Sequence, residues 1–183
     1  SEVNQLVDMI DSNSIKSLEL DTKKKWSLLR KLAFHYHPRT EDCLEKMLLI
    51  DNSDAGKKDA YAVRCALRKD KLQMFEEVMS DQKNSADFLR AAMSSFFHRA
   101  QRQECEPVVK AYFQKLPQVF KDRDRIFSRS MSRVMFPTSF LKESLNFTID
   151  LLPKVNNSSL KRSLLEHRDY LLKVEKIRNE FFA

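Results

Sequence analysis

The sequence predicts an all-α protein, with antiparallel helix pairs stacked in a HEAT/armadillo-like right-handed superhelix. Three observations carry that expectation. Apolar residues recur at helical spacing almost throughout. The chain of 183 residues holds one glycine, Gly56, where average usage of roughly 7% would give about a dozen. Sheets and phosphate loops need glycines for turns and bulges, whereas a helical array needs few. The helix pairs also repeat loosely: Trp26 to Ala60 spans 34 positions and Ala60 to Ala92 spans 32, the period of helix-pair solenoids.

The elements follow in order. Val3, Leu6, Val7 and Ile10 mark a first amphipathic stretch. Asp21 or Thr22 can cap a helix carrying Trp26, Leu28, Leu29, Leu32 and Ala33, stopped by His37-Pro38. Thr40 is expected to cap the next, with Cys43, Leu44, Met47 and Leu48 on one side. Asp51-Asn52-Ser53-Asp54 is a turn and cap cluster before Ala60, Val63 and Ala66. Asp70 opens a helix with Leu72, Phe75 and Val78, and Ser85 caps Phe88, Leu89 and Ala92. Val108 to Phe113 form a further helix that Leu116-Pro117 should end. Ile126, Phe127, Met131 and Val134 form another, closed by Phe136-Pro137. Thr138 should cap the helix of Leu141, Leu145 and Ile149. The last starts after Asn156-Asn157 and runs from Leu160 through Ile177. This makes about ten helices of the length packed bundles use.

No composition shift or linker divides the chain, so residues 1–183 are read as one helical-repeat domain. The start at Ser1-Glu2-Val3, inside an amphipathic stretch, is how an excised fragment looks, and a processed N-terminus would look the same. Lys and Arg number 33 against 26 Asp and Glu, a net charge of +7. Both signs are mixed along the chain, as on solvated helix faces, so no nucleic acid is expected as a partner. Cys43, Cys65 and Cys105 are odd in number, widely spaced and set among apolar residues. Together with the lack of any membrane-spanning run, they point to a reducing, cytoplasmic setting.

Chemistry-bearing patterns are few. There is no H-E-x-x-H, no C-x-x-C and no G-x-S-x-G. His35 and His37 diverge at i, i+2 on a helix, and His98 beside Arg99 suits a cation at a helix end. No catalytic residue and no metal ligand is assigned, and no cofactor is expected in this chain. Two basic residues stand out as substrate-cavity candidates. Arg64 shares a face with Arg68, and Arg90 interrupts the apolar run Phe88-Leu89-Arg90-Ala91-Ala92. An arginine there either covers the core with its stem or aims its guanidinium into a groove, where it can pair with a carboxylate.

Several segments carry a resemblance. Leu20-Asp21-Thr22-Lys23-Lys24-Lys25-Trp26-Ser27-Leu28-Leu29 is similar to an L-D-x-x-x-R-W-x-L-L segment, and Asp51-x-Ser53-x-x-Gly56 to a D-x-T-x-x-G turn. Leu89-Arg90-Ala91-Ala92 matches L-R-A-A, and the stretch from Pro107 to Phe120 resembles P-Y-x-x-x-Y-F-x-x-L-P-x-V-W. Met135-Phe136-Pro137 matches L-F-P, and the stretch from Leu160 to Asp169 resembles L-R-R-x-L-L-E-x-R-D. In order and spacing these resemble the C-terminal domain of aminopeptidase N-type zinc peptidases. The chain departs at Phe97-His98-Arg99-Ala100-Gln101, where the bacterial proteins often read W-Q-P-G-Q.

The resemblance implies the C-terminal fragment of a larger enzyme, a bowl of HEAT-like helix pairs that caps a separate catalytic domain and walls its peptide-binding cavity. The partners it implies are the enzyme's own N-terminal and catalytic domains and a peptide substrate. Zinc would sit in the catalytic domain. Arg90 would fall where related enzymes place a basic residue facing the cavity. The alternative is a free-standing helical-repeat scaffold that binds an acidic peptide or nucleic acid.

Overall fold

The computed structural model describes residues 8–9, 14–15 and 18–181. The amphipathic stretch expected at Val3 to Ile10 lies outside them, apart from Asp8 and Met9, which are helical. Nine α-helices follow among the described residues: α1 (Thr22–Phe34), α2 (Thr40–Ile50), α3 (Asp54–Leu67), α4 (Lys71–Ser80), α5 (Ala86–Met93), α6 (Arg102–Asp122), α7 (Arg125–Val134), α8 (Leu141–Leu151) and α9 (Ser158–Phe181). Ser14–Ile15 and Leu18–Glu19 pair as a two-residue antiparallel ladder, too short to form a layer. The all-helical class expected from the sequence holds for the described residues.

Local chemistry sets the helix starts. Asp21 accepts from Lys24 N at 2.7 Å and Ser53 from Gly56 N at 3.1 Å, each satisfying an amide the first turn leaves free. Asp124 accepts from both Ile126 N and Phe127 N. Two expected caps are displaced. Thr40 is the first residue of α2 rather than its cap, and its hydroxyl donates to His37 O. Thr138 stands ahead of α8, whose cap position is Phe140.

Pro117 does not end its helix. Helix α6 runs from Arg102 to Asp122 through both Pro107 and Pro117. A proline forfeits one backbone hydrogen bond, but Val108, Val109, Tyr112, Phe113, Leu116 and Val119 are all buried along this helix. Continuous burial of that stripe outweighs a proline cost of about 3 kcal/mol.

The few turns that need a left-handed residue do not use the glycine. Tyr36 has φ of 51° and Phe97 φ of 58°. Tyr36 closes α1 with its N–H on Ala33 O while His37 N donates to Leu32 O, the double bond of a Schellman turn. Gly56 instead lies in the first turn of α3, against the connection from α2.

The helices contact one another in alternation. Helix α1 packs on α3, α3 on α5 and α5 on α7, while α4 packs on α6 and α6 on α8. The apolar interior forms two clusters. One joins Trp26, Leu29, Leu32, Cys43, Met47 and Val63 at the α1–α3 end. The larger runs from Phe75 and Met93 through Tyr112 to Leu160 and Leu171. Buried polar side chains satisfy helix ends between them. Gln101 Nε2 donates to Ala66 O at 2.7 Å, and Lys71 Nζ to Cys65 O at 2.9 Å and Ala66 O at 3.2 Å. Terminal carbonyls buried without such donors would each cost about 1–3 kcal/mol.

Candidate functional site: an arginine face on α5, α7 and α9

The residues of α7 sort into two sides. Phe127, Ser128, Ser130, Met131 and Ser132 are buried, while Arg125, Arg129 and Arg133 are exposed. Four residues advance a helix by about 6 Å, so the three guanidiniums stand in a row along one side. The serines allow close packing and dispose of their hydroxyls locally: Ser128 Oγ donates to Asp124 O and Val119 O, and Ser132 Oγ to Arg129 O.

A hollow lies on each side of that row. One, of about 450 Å³, is bounded by Arg125, Arg129 and Arg133 together with Asn157, Arg162 and Glu166 from the start of α9. The other, of about 400 Å³, adds Arg90 of α5 to the same three arginines. Asn157 Oδ1 accepts from Leu160 N at 3.0 Å, so the positive end of the α9 dipole also opens here.

Charge at this face is uncompensated. Glu166 is the one carboxylate lining the two hollows, and it already takes Arg162 at 3.1 Å and Arg133 at 3.8 Å. The guanidiniums of Arg90, Arg125 and Arg129 have no hydrogen bond or ion pair among the described residues. The arrangement works against local stability. Like charges at i, i+4 destabilise a helix by about 0.2–0.5 kcal/mol per pair. Arg125 places a cation at the first residue of α7, the unfavourable end of its dipole. Local costs of this kind without a structural return are expected at functional sites.

The two expected cavity residues part company. Arg90 is exposed and lines the smaller hollow with its guanidinium unpaired, so the groove-facing alternative describes it better than a stem laid over the core. Arg64 is exposed on α3 and lines neither hollow. Its neighbour Arg68 is tied to Asp70 and Glu77. Sequence reading passed over Arg125, Arg129 and Arg133. The signal is three arginines at i, i+4 and i+8 with no acid between them, on the side of the helix opposite its apolar residues.

Other polar groups have structural roles. Arg123 borders the larger hollow, yet it donates to Met79 O at 2.9 Å and Asp81 O at 2.8 Å and stacks on Phe127. His98 is not a cation at a helix C-terminus. Its Nδ1 accepts from Ala100 N, its ring stacks on Phe34 at 4.0 Å, and burial holds its pKa below the usual histidine value. His167 stacks on Phe136 at 3.7 Å and contacts Ser132 O through Nε2, again with burial lowering its pKa. Among the described residues no group of three or more His, Cys, Asp or Glu is placed to hold a metal ion, and no helix is long and apolar enough to cross a membrane.

No known protein family matches the chain, and no curated protein matches it significantly.

The assignment of the face therefore rests on its chemistry. Guanidiniums in a row offer planar, bidentate donors, which suit carboxylates or phosphates. Such a row can bind and orient an anion.

Proposed function

We propose that this chain is a non-catalytic helical-repeat domain that receives the acidic end of a peptide, serving as the C-terminal accessory domain of an aminopeptidase N-type zinc peptidase. The observation that carries the binding half of this reading is the meeting of Arg90 with Arg125, Arg129 and Arg133 around one hollow. The alternate stacking of α1, α3, α5 and α7 beside α4, α6 and α8 supports a HEAT-like array. The ordered segments from Leu20 to Asp169 support the family. In that setting the chain caps the zinc-bearing catalytic domain and walls its peptide cavity, and the terminal carboxylate of a long peptide meets Arg90.

The test has two steps. The reading frame that encodes this chain should encode an upstream H-E-x-x-H-(x18)-E region. In the enzyme so defined, Arg90→Ala should weaken catalytic efficiency on substrates of eight to ten residues and spare single aminoacyl amides, which end before the cavity wall. Arg90 is exposed, so solvent screens the contact. A gain of about 1 kcal/mol, or roughly fivefold, is the expected scale. Equal losses on both substrates would remove Arg90 from the site.

A further inference from the structure

The arginine face is built for more than one carboxylate. It gathers six arginines, from Arg90 to Arg162, around one acid, Glu166. Arg125, Arg129 and Arg133 repeat every four residues of a helix, a rise of about 6 Å per step. Side chains on one side of an extended peptide repeat every two residues, about 6.6–6.8 Å per step. The two repeats agree to within about 1 Å per step, which long arginine side chains absorb.

We propose that the α7 row binds an extended peptide segment with acidic side chains at alternate positions, acid-x-acid-x-acid, laid along Arg125, Arg129 and Arg133 with Arg90 and Arg162 closing on its flanks. This deepens the peptide reading above and rests on it for the class of ligand. The intervening side chains point away from the row and meet little selection. Single-stranded nucleic acid offers a comparable charge spacing, but its binding sites supply aromatic platforms on which bases stack. The lining here provides one aromatic, Phe120, and that ring is half-buried.

The experiment uses the 183-residue chain and three fluorescein-labelled ten-residue peptides, read by anisotropy at low salt. The first carries four glutamates at alternate positions, the second four glutamates at every third position, so that no two fall at i and i+2, and the third glutamines in place of the alternating glutamates. The first two have equal net charge, so long-range attraction treats them alike. The alternating peptide should bind about tenfold more tightly than the peptide with glutamates at every third position, the worth of two additional exposed ion pairs. The glutamine peptide should not bind. Arg129→Gln and, separately, Arg125→Gln should abolish the advantage of the alternating peptide, and Arg64→Gln should leave it intact. All three side chains are exposed, so an unchanged helical far-UV spectrum verifies folding. Equal binding of the alternating and every-third peptides, absence of binding, or tighter binding of a ten-residue oligo-dT would overturn the proposal. No catalytic domain is present in this assay, so its failure is distinct from failure of the substrate-length test on Arg90.

Discussion

The indole Nε1 of Trp26 donates to Oδ2 of Asp51 at 2.9 Å, joining the middle of α1 to the residue that follows α2. The same carboxylate accepts from Ser53 N and Oγ, so one acidic side chain fixes the entry to α3. Those bonds, Ser53 first and Trp26 second, hold the Asp51 carboxyl below the usual aspartate pKa. Trp26 is 3% exposed. Truncating an aromatic at such a site costs ~3–5 kcal/mol, so Trp26→Ala should lower the chemical denaturation midpoint clearly. A loss below about 1 kcal/mol would place the indole outside the cooperative core.

Gly56 depends on the same turn. A Cβ built there would lie 2.3 Å from Asp51 O and 2.7 Å from Asp51 Cγ. Alanine is the better helix former by about 1 kcal/mol, yet Gly56→Ala should destabilise by ~1–3 kcal/mol, because backbone must move to admit the methyl. An unchanged or raised Tm would show that the turn yields without cost.

Arg123 and Arg129 should separate in a stability measurement. Arg123 donates to two carbonyls at the C-terminal end of α4 and covers Phe127, whereas the Arg129 guanidinium has no hydrogen bond or ion pair among the described residues. Arg123→Ala should cost ~1.5–3 kcal/mol, and Arg129→Ala should be neutral or slightly stabilising by relieving like-charge repulsion. Urea titrations of the two variants make the comparison.

Lys71 predicts a pH signature. Its side chain is 1% exposed, and burial pulls its pKa down to about 8. Unfolded, it titrates near the ordinary lysine value of about 10.4. Between those values the unfolded state holds more protons than the folded one, so this residue makes stability rise with pH from about 8 to about 10.4. Cys65, pushed up to about 11, and Cys105, also raised by burial, act in the opposite sense, because their folded thiols stay protonated where unfolded ones ionise. The difference between the wild type and Lys71→Met isolates the lysine. Unfolding free energies taken from pH 7 to 10.5 should show the variant losing the upward contribution, and parallel profiles would refute it.

The sequence by itself determined that the chain is helical, where most helices lie, and many of the residues that face inward, while Leu72, Ile126, Ile149 and Ile177 share the apolar spacing yet are exposed. Period and capping are short-range physics, so Trp26, Phe75, Tyr112 and Leu164 could be assigned to the interior from spacing alone. Only the tertiary structure decided the exceptions. Pro117 reads locally as a stop, but burial of residues on both sides carries α6 past it. His98 reads as a cation at a helix end, but its ring stacks on Phe34, 64 positions away, burial lowers its pKa, and its Nδ1 accepts from Ala100 N as a cap. The arginine face was the least legible part. Arg90 was visible because it breaks an apolar run, while Arg125, Arg129 and Arg133 look like an ordinary solvated side. What sets them apart is the absence of acids opposite them on α5 and the single shared Glu166 on α9. Long-range packing of separate helices chooses those neighbours, and no local pattern records them.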